Sequence, residues 1–160
     1  MEIKEEQIIL TPEGAKKIAE QLEHLKGDHR QEIRERMANI QKRGEMGEDP
    51  EYEEVKKDQV ILESRIAMLE NILQKSKVLS ASEITTDRVG IGSRVKVKNL
   101  KTQKEEEFTI LSTMESDPAN NKISDVSPVG RALMRIKKGD YTEAVTPNGK
   151  VKYLVLSIKR

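Results

Sequence analysis

Three carboxylates, Glu45, Glu48 and Asp49, fall within five positions of the stretch Gly44-Glu45-Met46-Gly47-Glu48-Asp49-Pro50-Glu51. Carboxylate oxygens suit hard divalent cations such as Mg²⁺, which takes one or two protein carboxylates and fills its remaining positions with water or substrate phosphate. An acidic turn of this kind is half of a metal site, and a partner must bring the other half. Structural duties compete for two of the nearby acids. Asp49 is placed to accept hydrogen bonds from the first turn of a following helix, and Glu51 falls in that turn, where an acid complements the helix dipole. Glu45 and Glu48 flank glycines and have no evident structural task. Other chemistry is sparse: the chain has no cysteine nucleophile, no glycine-rich phosphate loop and only two histidines, His24 and His29, five apart. Without a second ligand on its face, His29 reads as a partly buried helix–helix contact.

The elements that must present this turn are legible on either side of it. Two glycines and a proline within seven positions interrupt some 65 residues that otherwise read as helix. Pro50 at a first helical position, after Asp49, restarts the helix where the missing N–H is not needed. Apolar positions pair in mirror order about the break: Ile40 with Val55, Met37 with Gln59, Ile33 with Leu62, His29 with Ile66, Leu25 with Leu69 and Leu22 with Leu73. This pattern predicts an antiparallel coiled-coil hairpin. Its first helix starts near Pro12, behind Thr11 as cap, and its second runs from Glu51 to Ser76, about 39 Å at the α-helical rise. Three consecutive steps of four, from Leu25 to Met37 around Gly27, predict a local irregularity. Ile61, Met68 and Ile72 form a neighbouring stripe, expected to meet a second domain.

Composition supports a rod plus a small domain. A charged fraction of 36% with three tyrosines, one phenylalanine and no tryptophan leaves little for one large core. A net charge of +1 lacks the basic footprint of an autonomous nucleic-acid binder. With no long apolar run and no basic-then-apolar leader, the expectation is a cytoplasmic protein without membrane contact. Texture changes near residues 79–86, giving expected domains at 1–80, with the tip at 44–51, and at 81–160. In the second, strands are expected at 94–98, 107–111 and 153–158, with a tight turn at Thr146-Pro147-Asn148-Gly149 and one short helix opened by Ser127 and Pro128. The fold class is α+β: a helical hairpin followed by a small antiparallel sheet with one helix.

Four segments together resemble a bacterial Gre-type transcript cleavage factor. They are Leu10-Thr11-Pro12-Glu13-Gly14, Gly44 to Tyr52, Ile123-Ser124-Asp125-Val126-Ser127-Pro128-Val129-Gly130-Arg131-Ala132-Leu133, and Gly139-Asp140 followed by Thr146-Pro147-Asn148-Gly149. The resemblance implies that the second domain is FKBP-like and docks at the rim of the secondary channel of RNA polymerase. It also implies that the coiled coil reaches down that channel, so that Glu45 and Glu48 meet the active centre and help hold an Mg²⁺ completed by the polymerase. The nascent RNA 3′ end is then cut by the polymerase, and the factor is an accessory, expected to be a monomer with no cofactor of its own. By this resemblance Ser124, Asp125 and Pro128 match the docking segment. Lys42, Arg43 and Lys56, beside the tip, are candidates for contact with RNA phosphates.

The sequence departs from the family pattern at the tip. The first acid is usually aspartate, and here it is Glu45; the usual Lys-Glu-Asn-Ala run is Gly47-Glu48-Asp49-Pro50. The added methylene bears on a metal with exacting geometry, so a channel-occupying regulator without cleavage is the alternative. A prolyl isomerase fits worse, because Phe108 is the one phenylalanine available for an aromatic pocket.

Overall fold

The computed structural model describes residues 7–44, 47 and 49–160. Contacts divide the chain into two compact units, residues 15–76 and residues 1–14 with 77–160.

The first unit is the hairpin. Helix α1 (Pro12–His24) passes through a π-helical turn (Leu25–His29) into α2 (Arg30–Arg43), and α3 (Pro50–Lys75) returns antiparallel. The expected irregularity is this π turn. Arg30 donates its N–H to the Leu25 carbonyl, five residues back, which accommodates the extra residue created by successive steps of four. Gly27 lies inside it, with open space where a Cβ would be. The seam joins Ile33, Ile40, Val55, Leu62 and Ile66, with Leu22, Leu25 and Met37 packed beside them. Each buried aliphatic side chain contributes roughly 1.5–3 kcal/mol of transfer free energy. His29 is less enclosed than its mirror partner Ile66, and its imidazole turns toward Glu32, 3.7 Å away. On the neighbouring stripe Ile72 is buried, whereas Ile61 and Met68 are more than half exposed.

Ion pairs flank this seam in the same mirror order. Lys26 pairs with Glu70, Arg30 reaches both oxygens of Glu63 at 3.0 and 2.9 Å, and Arg36 meets Asp58 at 3.1 Å. Exposed pairs each contribute only about 0.2–1 kcal/mol. Their value here is register, because a slipped pairing would place these charges against the wrong neighbours.

In the second unit β1 (Ile9–Leu10) runs parallel to β2 (Lys77–Val78). A five-stranded sheet is built from β3 (Arg94–Asn99), β4 (Glu105–Leu111), β5 (Lys122–Ser124), β6 (Tyr141–Thr146) and β7 (Gly149–Lys159), in the order β5-β4-β3-β7-β6. All neighbours are antiparallel except β4 and β5, so the sheet is mostly rather than wholly antiparallel. A bulge at Lys96/Val97 adds local twist. Val95, Val97, Ile110, Val155 and Leu133 are fully or nearly fully buried in its core, and Phe108 meets Tyr153 edge to face at 6.2 Å. Leu133 comes from the short helix α4 (Pro128–Leu133), beside which the Thr142 hydroxyl donates to the Ala132 carbonyl at 2.6 Å. This is the expected α+β class.

Candidate functional site

The base of the acidic turn is assembled from both helix ends. α2 stops at Gly44, whose φ of +74° is the left-handed conformation that glycine adopts without a Cβ penalty; its N–H donates to the Gln41 carbonyl. On the other strand Asp49 is extended, and its carboxylate accepts the Glu51 N–H at 2.9 Å while Pro50 opens α3. The capping role weighed for Asp49 is therefore filled.

Arg43 closes the gap between the two ends. Its Nη2 lies 2.8 Å from Glu51 Oε2 and 3.6 Å from Asp49 Oδ2. The hydrogen bond it donates to Glu51, with the nearby charge of Asp49, raises the guanidinium pKa above its ordinary value. Lys56, one turn beyond Tyr52 in α3, places its ammonium 5.6 Å from the centre of the Tyr52 ring. Of the three basic candidates, Arg43 and Lys56 thus have partners inside the hairpin, while Lys42 is exposed. Glu45 and Glu48 lie outside the described residues. Among the described residues no group of three His, Asp or Glu side chains is placed to hold a metal.

The loop ahead of α4 forms a second cluster. Ser124 is buried; its hydroxyl lies 3.0 Å from that of Thr113 and accepts the Val126 N–H, and its carbonyl accepts both the N–H and the hydroxyl of Ser127. Ser127 in turn caps α4 by accepting the Gly130 N–H at 3.2 Å. A Cβ on Gly130 would lie 1.9 Å from the Ser124 carbonyl oxygen, so only glycine fits there. Ser124 therefore shapes the loop from inside, and Val126 and Pro128 are exposed with Asp125 half-buried beside them.

The remaining motif, Thr11-Pro12-Glu13-Gly14, repeats this design. The Thr11 hydroxyl accepts the Gly14 N–H at 3.2 Å, and Glu115, from a 3₁₀ turn, receives both the Thr11 N–H and the Thr11 hydroxyl. Sequence reasoning missed Glu115 because it is 104 residues away with no local signal, and it missed the Arg43 bridge because spacing across a turn does not identify partners.

Residues 8–78 match the family model described as transcription elongation factor, N-terminal, and residues 84–160 match the model described as transcription elongation factor, GreA/GreB, C-term. The chain belongs to the GreA/GreB family of transcription elongation factors. It is 43% identical over 155 residues to transcription elongation factor GreA of Clostridium acetobutylicum, covering 97% of this chain and 98% of that protein. It is 44% identical to GreA of Clostridium beijerinckii, covering 96% of each. Among solved structures, the GreA factor homolog 1 protein of Thermus thermophilus is 28% identical, covering 96% of this chain and 99% of that one at a TM-score of 0.42. For this GreA/GreB-family chain the first family model covers the helical hairpin together with β1 and β2, and the second covers the five-stranded sheet and α4. No described helix is long and apolar enough to cross a membrane.

Proposed function

We propose that this chain docks on bacterial RNA polymerase through the surface around Asp125, Val126 and Pro128, above the internal residue Ser124. The hairpin then occupies the secondary channel, and the factor stimulates the polymerase's own cleavage of the 3′ end of backtracked RNA. The observation that best supports this is the closure of the seam up to the turn. Ile40 and Val55 are both 0% exposed, and Arg43, Asp49 and Glu51 tie the helix ends just beyond them. A stiff support of this kind suits two acids that must be delivered to a distant site.

In this reading Glu45 and Glu48 supply carboxylate oxygens to an Mg²⁺ shared with the polymerase. That cation would activate water and stabilise the charge that develops on the scissile phosphate. Arg43 holds the turn and is not a free RNA contact, which leaves exposed Lys42 to face the RNA backbone. The reaction belongs to the polymerase, and the factor acts in the cytoplasm as a monomer. Since the chain has no cysteine, a single one placed at Gly47 can carry a photocrosslinker. In a backtracked complex it should capture the last nucleotides of the RNA. Crosslinks confined to the polymerase exterior would contradict the proposal.

The second reading, a channel-occupying regulator without cleavage, draws on Glu45 in place of aspartate and Pro50 in the turn. Glu45→Asp separates the two: wild-type protein that binds without stimulating cleavage, with activity gained on shortening the acid, favours the regulator.

A further inference from the structure

Three cations of the sheet unit face acids. Lys96 lies 3.3 Å from Glu105, Lys150 lies 3.7 Å from Glu143, and Lys77 lies 3.3 Å from Glu83. At another place cation is set against cation. Residues 88 and 137 form an isolated antiparallel bridge, flanked by hydrogen bonds from the Val89 N–H to the Ile136 carbonyl and from the Arg135 N–H to the Val89 carbonyl. The bridge sets Arg88 directly opposite Lys137, with Arg135 and Lys138 beside them, all four exposed. None makes an ion pair with another described residue. The acids Asp87 and Asp140 are adjacent in sequence and leave the group with an excess of two positive charges.

Like charges directly opposite each other destabilise a pairing. Arg135 adds a second cost, since its φ of +67° is left-handed backbone that glycine adopts freely and arginine does not. Threonine at 88 and 137 and glycine at 135 would suit the fold better. Costs of this kind, falling on Arg88, Lys137 and Arg135, are the mark of residues kept for what they bind.

We propose that Arg88, Arg135, Lys137 and Lys138 form a contact site for the sugar–phosphate backbone of a nucleic-acid strand. The bridge and its flanking segments expose no large aliphatic side chain that could anchor a protein partner, and exposed Tyr141, just beyond Asp140, offers a ring on which a base can stack. With a net chain charge of +1 the binding is weak and sensitive to salt. The proposal is independent of RNA cleavage, because it concerns the isolated factor.

The test is fluorescence anisotropy of a labelled 15-nucleotide single-stranded RNA with the full chain at about 50 mM salt. R88T/K137T should weaken binding about tenfold and lower the salt slope by roughly 1.4, from about 0.7 per phosphate contact, while its Tm stays level or rises. R135G should weaken binding with a raised Tm, and K101T/K104T, which removes the same charge from the β3–β4 turn, should leave affinity within twofold. Absent wild-type binding, equal loss in K101T/K104T, a lowered Tm in R135G, or stronger binding of polyglutamate than of RNA would each overturn the proposal.

Discussion

Glu115 places its carboxylate where a side chain on residue 14 would begin: a Cβ on Gly14 would stand 1.9 Å from Oε1 and 2.1 Å from Cδ. The same carboxylate holds the backbone and hydroxyl of Thr11, so the first turn of α1 receives an acid from a remote turn where the helix dipole favours one. Gly14→Ala must push Glu115 aside and lose those bonds. The expected cost is about 1–3 kcal/mol in denaturant unfolding. In an E115A background the same change should cost much less, as coupled neighbours do. Equal costs in both backgrounds would show that Gly14 serves another purpose.

The seam beside the tip should be the most sensitive part of the hairpin. Ile40→Ala removes a fully buried side chain and is expected to cost about 2–5 kcal/mol. Ile61→Ala, at an exposed position, should change stability by less than about 0.5 kcal/mol. Thermal unfolding followed by circular dichroism at 222 nm checks both.

Much of this was legible in the sequence. The mirror pairs about the turn gave the hairpin because helix pairing is written at spacings of three and four, and the tetrads Thr11-Pro12-Glu13-Gly14 and Ser127-Pro128-Val129-Gly130 gave two helix starts through cap and first-turn proline. Thr146-Pro147-Asn148-Gly149 has the same form yet makes a hairpin turn, with its hydroxyl donating to the Gly149 carbonyl and Gly149 at φ +112°. Asn-Gly made that difference readable. The short strands β5 and β6 were not foreseen, because three to six residues between turns carry too little periodicity. Partners far apart in sequence, such as Glu115 with Thr11, left no local trace. The chemistry assigned to Glu45 and Glu48 is a reading of the sequence, and the structure adds the base of the turn: Arg43 bridging Asp49 and Glu51.

Ser124 and its exposed neighbours should separate folding from docking. Ser124→Ala removes a buried hydroxyl that serves Thr113 and Val126, and is expected to cost about 1–3 kcal/mol. D125A and P128A, alone or together, should change Tm little and weaken polymerase binding. Unchanged affinity in a folded D125A/P128A protein would place the docking surface elsewhere.

The sheet unit should weaken in strong alkali. Burial, with a smaller contribution from Glu106, raises the Tyr153 pKa above its ordinary value near 10. A raised folded-state pKa leaves stability intact below the unfolded value and erodes it as pH climbs from there toward the folded one. Urea midpoints should be flat up to about pH 9.5 and fall above pH 10, and Y153F should reduce that fall. An equal fall in Y153F would assign the alkaline loss to other groups.

The most direct measurement of the central claim is RNA cleavage in purified backtracked elongation complexes at saturating Mg²⁺ and moderately alkaline pH. Wild-type protein should stimulate shortening of the transcript from its 3′ end. E45A and E48A should each abolish most of that stimulation while retaining polymerase affinity, and E45A/E48A should lose little more, since residues that serve one metal act as a unit. Wild-type protein that saturates the polymerase yet never accelerates cleavage would contradict the account.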